Sequence, residues 1–125
     1  MIKINKLNLK NILEADTCPI RLVLDRIGEK WSMLILLLLR DHGVMRFNEI
    51  DKAIGDISQK MLAKTLKTLE ADGFITRKVY PTVPPKVEYT LTELGLDLVP
   101  YIENISVWAF NNLETILNNR KEFEK

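Results

Sequence analysis

Ser58-Gln59-Lys60-Met61-Leu62-Ala63-Lys64-Thr65-Leu66-Lys67-Thr68-Leu69-Glu70-Ala71-Asp72-Gly73 is the stretch whose reading decides the fold. Leu62, Leu66 and Leu69 stand at i, i+4 and i+7, so a helix here turns a single stripe toward a core. Lys60, Lys64 and Lys67 repeat the same spacing on a different face, which is therefore basic. Ser58 suits the N-cap, with Ile57 just outside it able to staple onto Leu62. Gly73 suits the left-handed position after the helix, and Phe74 can contact Leu69 as in a Schellman motif. Local chemistry thus specifies both ends of this helix.

Outward from the helix, Ile75 to Tyr80 and Lys86 to Leu91 alternate as half-buried strands do. Ile75, Arg77 and Val79 share one side, with Val87, Tyr89 and Leu91 inward on the partner. Pro81-Thr82-Val83-Pro84-Pro85 between them is a stiff loop that cannot extend the ladder. On the other side, Asn48 to Ile54 reads as a short helix with Asn48 as N-cap, after a very short strand at Arg46-Phe47. Gly55-Asp56 makes the turn between the two helices. A basic helix followed by a basic, proline-tipped hairpin is the layout of a winged helix-turn-helix. Nucleic acid is the first partner to consider.

The flanks complete a mainly α chain with a small β-hairpin wing. The spacing predicts a helix from Pro19, with Ile20, Val23, Leu24 and Ile27 on one face, broken at Gly28. A second helix through Trp31 and Met33 to Leu39 is apolar all round, hence central and buried, and His42-Gly43 ends it. The winged core is expected over residues 19–91, after an ambiguous arm at 1–16. The last helix is expected from Thr92-Glu93 to about Asn118, bent at Pro100. Its apolar face, with Leu94, Leu98, Ile102, Ile105, Trp108 and Leu113, is widened by Tyr101, Phe110 and Ile116. One winged domain cannot cover so wide a surface. The same helix of a second subunit is the simplest cover, which makes a homodimer.

Bulk composition excludes several classes. At 125 residues, 46% hydrophobic and 28% charged, the chain suits one soluble domain. The net charge of +1 hides a basic segment, because six cations face only Glu70 and Asp72 between Ser58 and Lys86. One cysteine rules out an intramolecular disulfide and a cysteine-based zinc site, and points to a reducing, cytoplasmic setting. The longest apolar run, Met33 to Leu39, is far shorter than the roughly 20 residues of a membrane span. The amino terminus lacks the continuous apolar stretch of a secretory signal. His42 stands alone, and no nucleophile elbow, phosphate loop or metal spacing appears, so neither an enzyme nor a cofactor is expected.

Cys18-Pro19-Ile20, Ile27-Gly28-Glu29-Lys30-Trp31, Arg46-Phe47-Asn48-Glu49-Ile50, Ile57-Ser58-Gln59-Lys60-Met61-Leu62, Leu69-Glu70-Ala71-Asp72-Gly73 and Pro84-Pro85-Lys86-Val87-Glu88-Tyr89-Thr90-Leu91-Thr92 together resemble the HxlR-type bacterial transcription regulators. The resemblance runs in order from Cys18 to Trp108. It implies a MarR-like winged helix-turn-helix dimer, built through its N- and C-terminal helices, that binds a pseudo-palindromic operator. One departure is Glu29, where that family usually carries a second glycine.

A major groove about 12 Å wide admits one helix, whose N-terminal residues lie deepest. Base-edge contacts are therefore expected from Ser58, Gln59, Lys60 and Lys64, with Gln59 suited to adenine and the lysines to guanine. Thr65, Lys67 and Thr68 lie farther along, toward phosphates or solvent. Arg46 is a natural phosphate clamp, while Lys78 and Lys86 on the wing should meet backbone or minor groove. Arg77 alternates with apolar neighbours and can instead pair internally.

Cys18 precedes Pro19 at a helix N-terminus, where the macrodipole favours a thiolate, and Arg21 lies one turn away. The matching cysteine in HxlR-type regulators often senses oxidants or electrophiles, so the resemblance implies redox sensing here. The bland reading is a buried cysteine acting as a small hydrophobe. Two other functions stay open: a regulator gated by a small molecule, with an inert Cys18 and a pocket beside the last helix, and a winged-helix protein-interaction module.

Overall fold

The structure is a computed structural model that describes Asn8, Lys10 and residues 18–125; the expected arm over 1–16 otherwise lies outside the described residues. Helix α1 opens as a π-helical turn, Ile20–Leu24, and continues as an α-helical turn, Asp25–Ile27. Helix α2 spans Lys30–His42, strand β1 Val44–Met45, α3 Phe47–Ile54 and α4 Gln59–Ala71. Strands β2, Ile75–Tyr80, and β3, Lys86–Leu91, lead to the long helix α5, Glu93–Phe123. The sheet order is β1-β3-β2, antiparallel throughout.

The core is one apolar cluster walled by α2, α4, the sheet and the first third of α5. Ile35, Leu36 and Leu39 of α2 meet Leu62, Leu66 and Leu69 of α4 there, with Ile50, Ile75, Val99 and Ile102 around them. The stripe on α4 is therefore buried as its spacing requires. The central helix is less enclosed than its composition suggests: α2 turns Ser32, Ile35, Leu36 and Leu39 inward, while Leu37 and Leu38 are only half-buried and Leu34 is exposed at a groove shared with Ala53 and Ile54 of α3. Glu29 N-caps α2 by accepting a hydrogen bond from the Trp31 N–H at 3.3 Å.

Several boundaries differ from the sequence expectation. The short strand lies at Val44–Met45, not Arg46-Phe47, because Met45 is buried and pairs with Tyr89 while Val44 pairs with Thr90. The N-cap of α3 is Arg46 rather than Asn48: the Glu49 carboxylate accepts from the Arg46 N–H at 2.8 Å, which starts the helix two residues earlier. On α1, Ile20, Val23 and Leu24 are not buried, and only Ile27 enters the core. Helix α5 passes through Pro100 unbroken and ends at Phe123, five residues beyond Asn118.

The start of α5 is locked onto the turn that follows α4. The Thr92 hydroxyl accepts from the Gly95 N–H at 3.1 Å and donates to the Gly73 carbonyl, while the Thr92 N–H donates to the Phe74 carbonyl. Gly95 is required by this approach, since a Cβ there would lie 2.2 Å from the Phe74 oxygen and 3.0 Å from Leu91 Cδ2. Gly95→Ala should push α5 off the turn and destabilise the fold by about 1–3 kcal/mol, the usual cost of overpacking. A urea-unfolding midpoint equal to that of the parent protein would show that the approach is looser than drawn.

Candidate nucleic-acid interface

Helix α4 is held by the local devices read from its sequence. Ser58 Oγ accepts from the Met61 N–H at 3.1 Å, and Ile57 outside the cap is buried in the same cluster as Leu62. At the far end Gly73 has φ +84°, its N–H reaches the Glu70 carbonyl and the Phe74 N–H reaches the Leu69 carbonyl. These are the two bonds of a Schellman motif. With both ends fixed, the lysines have a defined direction. One residue advances a helix by about 100°, so Lys60, Lys64 and Lys67 cluster on the face opposite Leu62, Leu66 and Leu69. All three are exposed, and among the described residues none enters an ion pair.

Gln59 and Ser58 are exposed at the leading end of the same helix, Ser58 with its oxygen engaged in the cap. Thr65 is a correction. Its residue is only 4% exposed and its hydroxyl donates to the Met61 carbonyl at 2.8 Å, so it faces the core side and does not belong to the contact surface. Thr68 is half-buried in a shallow groove with Asp25, Glu29, Met61 and Lys64. The opposite flank of α4 opens toward the wing, where Lys67, Glu70 and Arg77 line another groove with Phe47 and Tyr89. Helix and wing are thus adjoining parts of one surface, and both flanks of α4 carry charges of both signs.

The wing register is the one its alternation requires: Ile75 opposite Leu91, Arg77 opposite Tyr89, Val79 opposite Val87. Burial fades toward the tip, from Ile75 inside the core to Val79 half exposed and Val83 fully so. The hairpin therefore projects beyond the core. Lys78 and Lys86 both lie over the ring of Tyr80, at 5.0 and 5.2 Å from its centre. Lys86 Nζ also stands 3.3 Å from Glu88 Oε2. A hydrogen bond from Tyr80, then Lys86 and the nearby Arg46, hold the Glu88 carboxyl below the usual carboxylate range. This carboxylate is ionised at neutral pH, and its pairing is lost only as pH falls through that lowered value. Sequence reasoning missed Tyr80 and Glu88. Their signal was available in the period of two, which puts them on the same hairpin face as Lys78 and Lys86.

Elsewhere, Cys18 is buried, 5% exposed, immediately ahead of α1. Eight residues later Arg26 makes a two-pronged ion pair with Asp72, the C-cap of α4, at 3.0 Å for each bond. Beneath that pair lies an apolar groove of about 670 Å³, lined by Leu22, Val23, Phe74, Leu94, Leu98 and Tyr101 among others. No described helix is long and apolar enough to cross a membrane.

The sequence profile described as HxlR-like helix-turn-helix matches residues 26–117, which include every element from α2 through most of α5. The chain belongs to the HxlR-like helix-turn-helix family. Among curated members it is 44% identical to the HTH-type transcriptional regulator YtfH of Escherichia coli, over 88% of this chain and 86% of that one. In solved structures it superposes on YtfH of Salmonella typhimurium with a TM-score of 0.78 at 41% identity, covering 93% of this chain and 99% of the other. It superposes on the redox regulator HypR in its reduced form with a TM-score of 0.74 at 41% identity, covering 80% and 98%. The diamide-treated YodB of Bacillus subtilis gives 0.64 at 41%, covering 78% and 96%. As an HxlR-like protein the chain is a winged helix-turn-helix transcriptional regulator, and this family consists of regulators rather than enzymes.

Proposed function

We propose that this regulator works in the cytoplasm as a homodimer on a pseudo-palindromic operator, with α4 as the recognition helix and Cys18 as a thiol sensor of oxidants or electrophiles. The observation that carries the DNA assignment is the set of three exposed lysines, none in an ion pair among the described residues, opposite the buried leucine stripe of α4. Ser58, Gln59, Lys60 and Lys64 read base edges, Lys67 and Arg46 meet phosphates, and Lys78 and Lys86 of the wing take the flanking backbone or minor groove. The dimer is supported by α5, which buries nothing beyond Ile102 yet carries Ile105, Trp108, Phe110 and Leu113 in the open. Two-fold symmetry then sets half-sites about one helical turn, roughly 34 Å, or a multiple of it apart. Footprinting on duplexes that the protein enriches from genomic fragments tests this: two protected half-sites with that spacing are expected, and a single protected half-site would count against the dimer.

Cys18 is buried, so an electrophile reaches it only when the packing around it opens. Both anchors of helix α1 lie at its far end, Ile27 in the core and Arg26 on Asp72, while Leu22, Val23 and Leu24 nearer Cys18 lie exposed. The redox regulator HypR and diamide-treated YodB are among the similar structures, which favours a thiol signal. In a gel shift, diamide should change the affinity of the wild-type protein at least about tenfold, the scale of a coupling near 1.4 kcal/mol, and leave Cys18→Ser unmoved. An unchanged diamide response in Cys18→Ser would remove the sensor. The 670 Å³ groove beside α5 favours a second reading, in which a small apolar molecule gates the protein and Cys18 is inert.

A further inference from the structure

The face of the wing that looks away from the core holds one carboxylate among three cations. The register sets Lys78 opposite Glu88 and Tyr80 opposite Lys86, and strand alternation puts these four on the face opposite buried Ile75 and Tyr89. On the other edge of β3, Val44 pairs with Thr90 and Met45 with Tyr89, so Arg46 comes level with Glu88. Glu88 therefore stands mid-row, with Lys78 on one side, Arg46 on the other and the Lys86 ammonium 3.3 Å from its Oε2. The Tyr80 ring is the platform under both lysines.

We infer that Glu88 is a specificity-determining residue, its carboxylate occupying in the free protein the position that a DNA phosphate takes in the operator complex. A carboxylate and a phosphate compete for the same N–H donors. On an arbitrary duplex the wing's cations must leave Glu88 with no compensating fit, and the freed carboxylate faces the phosphates as a like charge. On the operator the α4 contacts hold the wing over one phosphate, which then displaces Glu88 from Lys86 and Arg46. The cost falls on wrong sequences. This inference rests on the assignment of the wing to DNA made above.

The test compares wild type, Glu88→Gln and Glu88→Asp on two probes, each titrated at two salt concentrations. One probe is a duplex selected by the wild-type protein from a random library, the other a random-sequence duplex of equal length. Glu88→Gln should bind the random duplex roughly fivefold more tightly for each subunit that touches it, up to about 25-fold for the dimer, as one removed repulsive charge per subunit implies. Its salt slope there should steepen by up to about 1.8, 0.9 for each subunit. The selected duplex should change less than about twofold, so the specificity ratio falls, and Glu88→Asp should restore it. Circular dichroism run alongside establishes that each variant is folded. Unchanged binding of both duplexes by Glu88→Gln, or equal weakening on both, overturns the inference. Lys86→Gln separates the two failures. If it too leaves affinity and salt slope untouched, the wing does not meet DNA and both ideas fall; if it weakens both duplexes, the wing assignment stands and only the role of Glu88 is lost.

Discussion

Replacing Lys60 and Lys64 together by alanine should weaken operator binding roughly a hundred- to thousandfold at physiological salt. The two side chains sit on the exposed face of α4, directly opposite the leucines that hold the helix in the core. A dimer presents four of these ammonium groups, and each is worth about 1 kcal/mol or more at a phosphate or base edge. To the extent that they meet phosphates, the slope of log K against log salt should also flatten by up to about 3.6. The fold should not suffer, because alanine is at least as good a helix former as lysine and neither side chain is paired among the described residues. Fluorescence anisotropy with a labelled duplex reads both quantities. Binding within threefold of wild type would mean that α4 is not the helix that enters the groove. Thr65→Ser is the matched control: its hydroxyl already serves the Met61 carbonyl inside the protein, so operator affinity should stay close to wild type.

The second large effect concerns α5. If the protein dimerises through α5 as proposed, Ile105→Glu combined with Trp108→Glu should leave a monomer in sedimentation analysis, where the parent protein sediments as a dimer, and abolish operator binding at nanomolar protein. Helix α5 runs 31 residues, about 46 Å at 1.5 Å per residue, and its last buried residue is Ile102. From there Ile105, Trp108, Leu113 and Phe123 are exposed, Phe110 by 83%. An apolar helix of this length is not stable in water without a partner surface, and a self-complementary two-fold contact is the commonest solution. Two acidic groups on each copy would place four like charges in that contact. Losing the link between half-sites removes an effective concentration in the millimolar range, worth about 10²–10⁴ in overall affinity. If the doubly substituted protein still sediments as a dimer, the contact lies elsewhere, and the exposed flank of α1 becomes the surface to examine.

The most legible parts of the chain were those coded over short distances. The caps of α4, its leucine stripe and the pairing of β2 with β3 follow from residues within a few positions of one another. Hydrogen bonds between i and i+4, N-cap side chains and period-two alternation are local physics that any fold must honour. The α3 cap shows where that reading slips. Propensity favours Asn48 over Arg46 as N-cap, and the choice was made against it by the Glu49 carboxylate together with burial of Met45 against Tyr89, 44 residues away.

What the amino-acid order determined by itself was the class of the molecule and the orientation of its basic helix, because both rest on periodicity and on capping chemistry carried within single elements. Only the tertiary structure decided that Thr65 turns inward, that Cys18 is shielded, that α1 leaves its leucines outside, and that Glu88 lies between Arg46 and Lys78. Each of those outcomes depends on which distant surfaces meet. A side chain's solvation and its electrostatic neighbours are properties of the assembled packing, and no local pattern encodes them.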